Sequence, residues 1–261
     1  MGHSSADNTT ATSAVSAPMT ETASQRRQGL DFAAARTLDE VTEAWRLVYG
    51  SYRRKKLIGP NPFQIHTSVP ATGPQATVFL GRIGPLTVTT LTAIRDSAAA
   101  LPLDRVYAQE LRALRDQGRQ LMEVSLFADR REDMARTADA LLQLMRYVWE
   151  WGRISGVTDF VIGVHPRHAR FYSRAFGFEQ ITDERTYPAV NNHPVVMLRG
   201  EPAVQMKRVP LPRGLEYFSQ NPVPAEEFAA RYTFPGSELE GSPIRAFLAH
   251  KPPQVDTDLS A

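Results

Sequence analysis

Val164-His165-Pro166-Arg167-His168-Ala169-Arg170-Phe171-Tyr172-Ser173-Arg174-Ala175-Phe176-Gly177-Phe178-Glu179 is the stretch that decides the fold. It starts at the end of an apolar run, sets a proline where the first turn of a helix accepts one, and stops at Gly177. The spacing therefore predicts strand, short helix, strand. Upstream, residues 157–164 read as a buried strand, and Gly156 ends a long helix over 134–154. Met134, Ala138, Leu141, Leu142, Met145, Val148 and Trp149 form the helical stripe of that element. Residues 120–128 read as the strand before it. A long helix between two strands implies a parallel crossover.

Further out, Thr37 and Glu40 fit a capping box for a helix whose Val41, Ala44, Trp45, Val48, Tyr49 and Tyr52 make one apolar stripe. A short strand at 30–35 precedes it. Strands at 77–83 and 86–94 meet at Gly84-Pro85 as a hairpin, and a helix follows over 103–117. Strands near 178–186 and 194–198 complete the sheet. Residues 1–28 are rich in Ser, Thr and Ala and are expected to be disordered. Residues 29–200 form the folded domain. Residues 201–261 hold 9 of the 19 prolines and predict an extended wrap with one short helix near 225–232.

Composition narrows the function classes. The 261 residues are 42% apolar and 22% charged with a net charge of +2, so no global field for nucleic acid is implied. Cysteine is absent, which removes disulfides, thiolate metal sites and cysteine nucleophiles. No run approaches the roughly 18–20 apolar residues of a membrane span, and no secretory pattern opens the chain; the expected location is cytoplasmic. His165 and His168 have no evident third ligand, so no metal is expected. Basic residues cluster at 53–56, at Arg130-Arg131, and at Arg167, Arg170 and Arg174. They fit either solvated faces or a docking patch for an acidic partner.

The 164–179 segment resembles the strand–helix–Gly-Phe signature of GNAT acyltransferases, and its His-Pro-Arg-His form is similar to the N-acyl amino acid synthases. Two further stretches agree in order and spacing: the helix through Trp45-Arg46-Leu47-Val48-Tyr49-Gly50-Ser51-Tyr52, and Met122-Glu123-Val124-Ser125 in the central strand. The resemblance spans about residues 30–199. It implies an α/β (α+β) GNAT-like mixed sheet of about seven strands flanked by helices. It also implies a thioester donor entering where the strands at 120–128 and 157–164 splay apart. The donor would be an acyl-phosphopantetheine thioester, with no permanently bound cofactor.

Acetyl-CoA enzymes of this fold bind pyrophosphate on a glycine-rich loop at a helix N-terminus. Here that loop reads Arg130-Arg131-Glu132-Asp133, and its two carboxylates would repel a diphosphate. Acyl carrier protein, with a single phosphodiester and an acidic surface, is the expected partner, and an amino acid the expected acceptor. The resemblance makes Glu123 the base and Tyr172 the acid for the departing thiolate. Ser125, Phe127, Arg130, Arg131 and His168 are the substrate-side candidates, with Phe127 expected on the face of Glu123 and Ser125. Plainer readings stand beside these: Glu123 as a structural ion pair, Tyr172 as a half-buried helix tyrosine, His168 as a surface residue. Rival functions are an acetyl-CoA-dependent N-acetyltransferase and a non-catalytic acyl or carrier-protein binder. A homoserine-lactone synthase would need Arg where Leu126 stands.

Overall fold

The computed structural model describes residues 29–131, 133–234 and 239–250. Its strands are β1 (Leu30–Ala34), β2 (Ala76–Ile83), β3 (Leu86–Arg95), β4 (Leu121–Asp129), β5 (Asp159–Val164), β6 (Glu179–Gln180), β7 (Arg185–Tyr187) and β8 (His193–Gly200). Its helices are α1 (Leu38–Arg54), α2 (Asp104–Asp116), α3 (Met134–Ile154), α4 (Pro166–Phe176), α5 (Pro202–Gln205), α6 (Arg213–Gln220) and α7 (Pro243–Ala249). The sheet runs β1-β2-β3-β4-β5-β8-β6, with β7 also on β8. Eight strands stand where about seven were expected, because the bend at 181–184 splits the segment 178–186 into β6 and β7.

Only β4 and β5 pair in parallel, as the α3 crossover requires. The other pairs among the described residues are antiparallel: β2–β3 is a tight hairpin at Gly84, while β1–β2 and β3–β4 are joined through α1 and α2. One face of the sheet is covered by α1 and α2 around Trp45, Tyr107 and Leu111. The other is covered by α3, α4 and α6 around Leu144, Phe176 and Phe218. α1 starts with the Thr37 hydroxyl accepting from Glu40 N–H, while the Glu40 carboxylate takes the N–H of Arg36 and pairs with Arg82.

The feet of the central strands are tied together. Asp159, fully buried at the start of β5, accepts from Arg119 ahead of β4 and from Arg199 on β8. Burial alone would raise its pKa, but these hydrogen bonds and that from Thr158 outweigh it and hold the carboxyl below its usual range. β4 and β5 therefore start clamped, and they pair only over Leu121–Glu123 against Asp159–Val161.

The Pro-rich C-terminal segment differs from the single short helix expected near 225–232. A 3-10 turn does lie at Ala225–Phe228, but α5, α6 and α7 are helical as well. The prolines explain why: Pro202 and Pro243 each occupy the first turn of a helix, where the missing N–H costs nothing. Leu215, Phe218, Val223 and Phe228 pack on the α3 face. The chain then crosses the edge of the sheet, where Tyr232 N–H donates to Ala35 O at 2.6 Å. Phe234 stacks on Trp45 at 5.6 Å, and Ile244 joins the α1 core. This strap meets the edge of the sheet just past the end of β1, where it satisfies the Ala35 carbonyl. The segment 1–28 lies outside the described residues, and no helix among those described is long and apolar enough to cross a membrane.

Candidate active site

Glu123 is the last β4 residue paired to β5; beyond it the two strands part. The parting coincides with a bulge on the other side of β4. The β3 register shifts between Thr90 and Thr92, and Leu126 takes a φ of +54°, a costly conformation for a branched side chain. The bulge also reverses the alternation expected from sequence. Phe127 packs with Met122 and Val124 on the α3 face, while Leu126 and Ala128 face α1 and α2. The expectation that Phe127 shares the face of Glu123 is thus corrected: one inserted residue moves every later side chain to the opposite face.

Glu123 is 2% exposed, and its Oε2 accepts the N–H of Leu103 at 2.9 Å. Among the described residues no cation pairs with it. Burial pushes its pKa up to about 8; the Leu103 N–H pulls the other way, and the charge of Asp104 adds to the rise. Near neutral pH such a carboxyl is mostly protonated, but its ionised fraction is a stronger base than an ordinary carboxylate and can take a proton from an ammonium group. Gly163 on β5 helps hold this arrangement, because a Cβ there would lie 2.6 Å from Leu103 Cδ2.

Three tyrosines surround the parting of the strands. Tyr172, on α4, is half-buried among Phe171, Phe176 and Phe178, and burial pushes its hydroxyl up to about 12. It stays protonated at physiological pH and can donate. Tyr52, on the last turns of α1, lies within electrostatic reach of both Tyr172 and Glu123; burial and those two neighbours raise its pKa. Tyr187, at the end of β7, feels Glu123 and Tyr52 in the same way. His66 rests against Tyr52 at 5.2 Å between rings, and burial lowers its pKa to about 4, so it is neutral. In the sequence Tyr52 stands in an apolar stripe and in the 45–52 stretch that carries the resemblance, with no site role, and nothing singles out Tyr187. Tyrosine serves core and site alike, so periodicity could not separate the roles; only the topology brings positions 52, 123, 172 and 187 together.

The remaining candidates divide. The Ser125 hydroxyl, just past Glu123, is buried and has no hydrogen-bond partner among the described residues. His168 is exposed and accepts from Arg167 Nε at 3.1 Å. Partial burial, Arg167, His165 and Lys55 lower its pKa. Arg130 is exposed and lines a groove of about 280 Å³ with Glu43, Arg46, Leu47, Gly50 and Arg54. Arg131 instead turns inward: its Nη2 contacts Asp129 Oδ2 at 2.7 Å, its Nε contacts Oδ1, and Nη2 also donates to the Arg136 carbonyl. Asp133 caps α3, accepting from Arg136 N–H at 2.8 Å. The helix end where a diphosphate would sit is thus filled by the chain's own carboxylate. Among the described residues no group of three His, Asp or Glu is placed to hold a metal.

Comparison with curated protein sequences finds no match. Among solved structures, an N-acyl amino acid synthase from uncultured soil microbes, FeeM, is similar at 28% identity and a TM-score of 0.58, covering 66% of this chain and 90% of that one. The AHL synthase LasI aligns at 14% identity and a TM-score of 0.49, over 66% of this chain and 88% of that one. The CoA-dependent acyl-homoserine lactone synthase BjaI aligns at 13% and 0.48, over 72% and 90%. The family described as "N-acyl amino acid synthase FeeM" matches residues 43–201, a span that holds Glu123, the parting strands and all three tyrosines. The chain is an N-acyltransferase of GNAT-like fold and belongs to the N-acyl amino acid synthase FeeM family.

Proposed function

We propose that the protein moves a fatty acyl group from the phosphopantetheine thioester of an acyl carrier protein to the α-amine of an amino acid. The observation that carries this reading is Glu123: a buried carboxyl without a cation, held by one backbone N–H where β4 and β5 part. The ionised carboxylate takes a proton from the acceptor ammonium, and the freed amine attacks the thioester carbonyl. A C–N bond forms and the C–S bond breaks. As the amide forms, the nitrogen gives its second proton to the Tyr172 oxygen while the Tyr172 hydroxyl gives its own to the departing thiolate, so the tyrosine ends protonated. That last assistance is modest, since a thiol of pKa near ~8.5 leaves tolerably as its anion.

The donor assignment rests on Asp133. A capped and negatively charged helix start is a poor seat for a diphosphate and no obstacle to a carrier-borne phosphodiester, which need not lie there. An exposed set of cations stands nearby. Lys55 senses both Arg54 and Arg167, and Arg130 shares a groove with Arg54. These would meet the acidic surface of a carrier protein. Purified protein offered a panel of amino acids with long-chain acyl carrier protein should yield an N-acyl amino acid, identified by mass. A protein that retains bound acyl carrier but yields no amide with any amine would be a binder, and the reading would fall.

A further inference from the structure

Glu123 does not hold its place through side-chain partners. Its one hydrogen bond comes from the N–H of Leu103, half of the peptide unit that joins Pro102 to Leu103. The other half of that same unit is also engaged, since the Tyr187 hydroxyl donates to the Pro102 carbonyl at 3.3 Å. The connection is thus hydroxyl, peptide, carboxylate, across three elements far apart in sequence: β7, the loop before α2, and β4.

We infer that Tyr187 is a positioning residue for the acyl transfer, acting on Glu123 through the Pro102–Leu103 peptide. The physical basis is polarisation. A donor on a peptide carbonyl draws electron density toward the oxygen and makes the N–H of the same unit a better donor, strengthening successive bonds by about 10–30%. That better donor faces the carboxylate, so the hydroxyl on the far side of the peptide favours the ionised form of Glu123 without touching it. It also fixes the plane of the peptide. This matters because Leu103, the residue before α2, has no side-chain cap of its own.

The other groups facing Glu123 are accounted for. Asp104 on α2 raises its pKa, but its carboxylate is bound by Arg115 and by the N–H of Leu101. Tyr52 from α1 and Tyr187 from β7 stay protonated. Arg105 is near Tyr187. None of these offers Glu123 a hydrogen bond among the described residues, which leaves the peptide as its handle.

A neighbour supplies the control. Tyr107 anchors the same β7–β8 hairpin, its hydroxyl donating to Val195 O at 2.7 Å and Asp183 O at 3.1 Å; among the described residues that hydroxyl bonds to neither Pro102 nor Glu123. Tyr187→Phe and Tyr107→Phe both remove a hydroxyl that ties the hairpin down; only the first breaks the relay.

The inference rests on Glu123 as the base, so the test reads the carboxyl directly as well as through turnover. In the unliganded protein, the 13C shift of the Glu123 side-chain carboxyl is followed against pH for wild type and both variants. Tyr187→Phe is expected to raise the midpoint by roughly 0.2–0.6 of a pH unit, the share of a charge-assisted hydrogen bond lost with its polarising partner. The acidic limb of kcat against pH moves by the same amount, and the rate at pH 7 falls about two- to four-fold. Tyr107→Phe is expected to lower the Tm and leave both midpoints in place. An unmoved midpoint in Tyr187→Phe, or an equal shift in both variants, would overturn the inference, the second outcome reducing Tyr187 to a hairpin anchor. If instead the carboxyl midpoint moves while the rate profile shows no acidic limb at all, the relay stands and the role of Glu123 as base falls.

Discussion

At residue scale the account turns on Glu123, whose folded pKa of about 8 lies well above the ordinary 4.5. Between those values the native state keeps a proton that the unfolded chain has released. Stability therefore falls as pH rises through that window, by up to about 1.4 kcal/mol per unit, and the full cost is present above about pH 8. Glu123→Gln removes this cost. Its Tm should match wild type near pH 4.5 and exceed it at pH 9, a pH-dependent gain that chemical denaturation can also measure. The same variant should lose ~10²–10⁴-fold in turnover, the usual worth of a positioned base, and the deficit should shrink at high pH where more amine is already neutral. A stabilising substitution that removes activity is the mark of a functional group kept at a structural cost. Tyr172→Phe should cost far less with natural donors. The loss should grow with poorer leaving groups and vanish with an activated thioester; rates that are silent with every donor would leave Tyr172 as wall rather than acid.

At the scale of elements, the site exists because β4 and β5 are clamped at one end and released at the other. Asp159 is the clamp, holding Arg119 and Arg199 across three strands. Asp159→Asn keeps the shape but leaves Glu201 as the carboxylate holding both partly exposed arginines, and should cost about 1–3 kcal/mol in denaturant unfolding. A change under about 1 kcal/mol would mean the clamp is ornamental. Much of this layer was legible in sequence. The α3 stripe, Pro166 and Gly177 fix the crossover and α4 without tertiary information, and α3 spans the residues its periodicity indicates. What could not be read was the β4 bulge. Nothing in Ser125-Leu126-Phe127 announces a positive φ, since neither glycine nor asparagine marks it; the constraint comes from the register with β3. Phe127 was misplaced for that reason alone. The C-terminal helices are hard to read from sequence because proline density argues against helix in general, whereas Pro202 and Pro243 start helices.

At the scale of the molecule, two features lie at opposite ends of the argument. The segment from α5 to α7 falls beyond the family match, and its described residues contribute to the cores of both sheet faces. The exposed cations at the end of α1, the end of β4 and the start of α4 are the surface proposed for carrier docking. Arg131 is spent on Asp129 and Arg136, so charge reversal there would test the fold rather than docking. Reversing Arg130 and Arg167 together should raise the KM for the carrier and flatten its dependence on salt, with Tm unchanged. An unaltered salt profile would place docking on another face. The donor itself decides the central claim. Specificity constants measured side by side for long-chain acyl carrier protein and acetyl-CoA, with one amino acid acceptor, should favour the carrier at least ~10-fold, about 1.4 kcal/mol of transition-state binding. Equal or better use of acetyl-CoA would contradict the account.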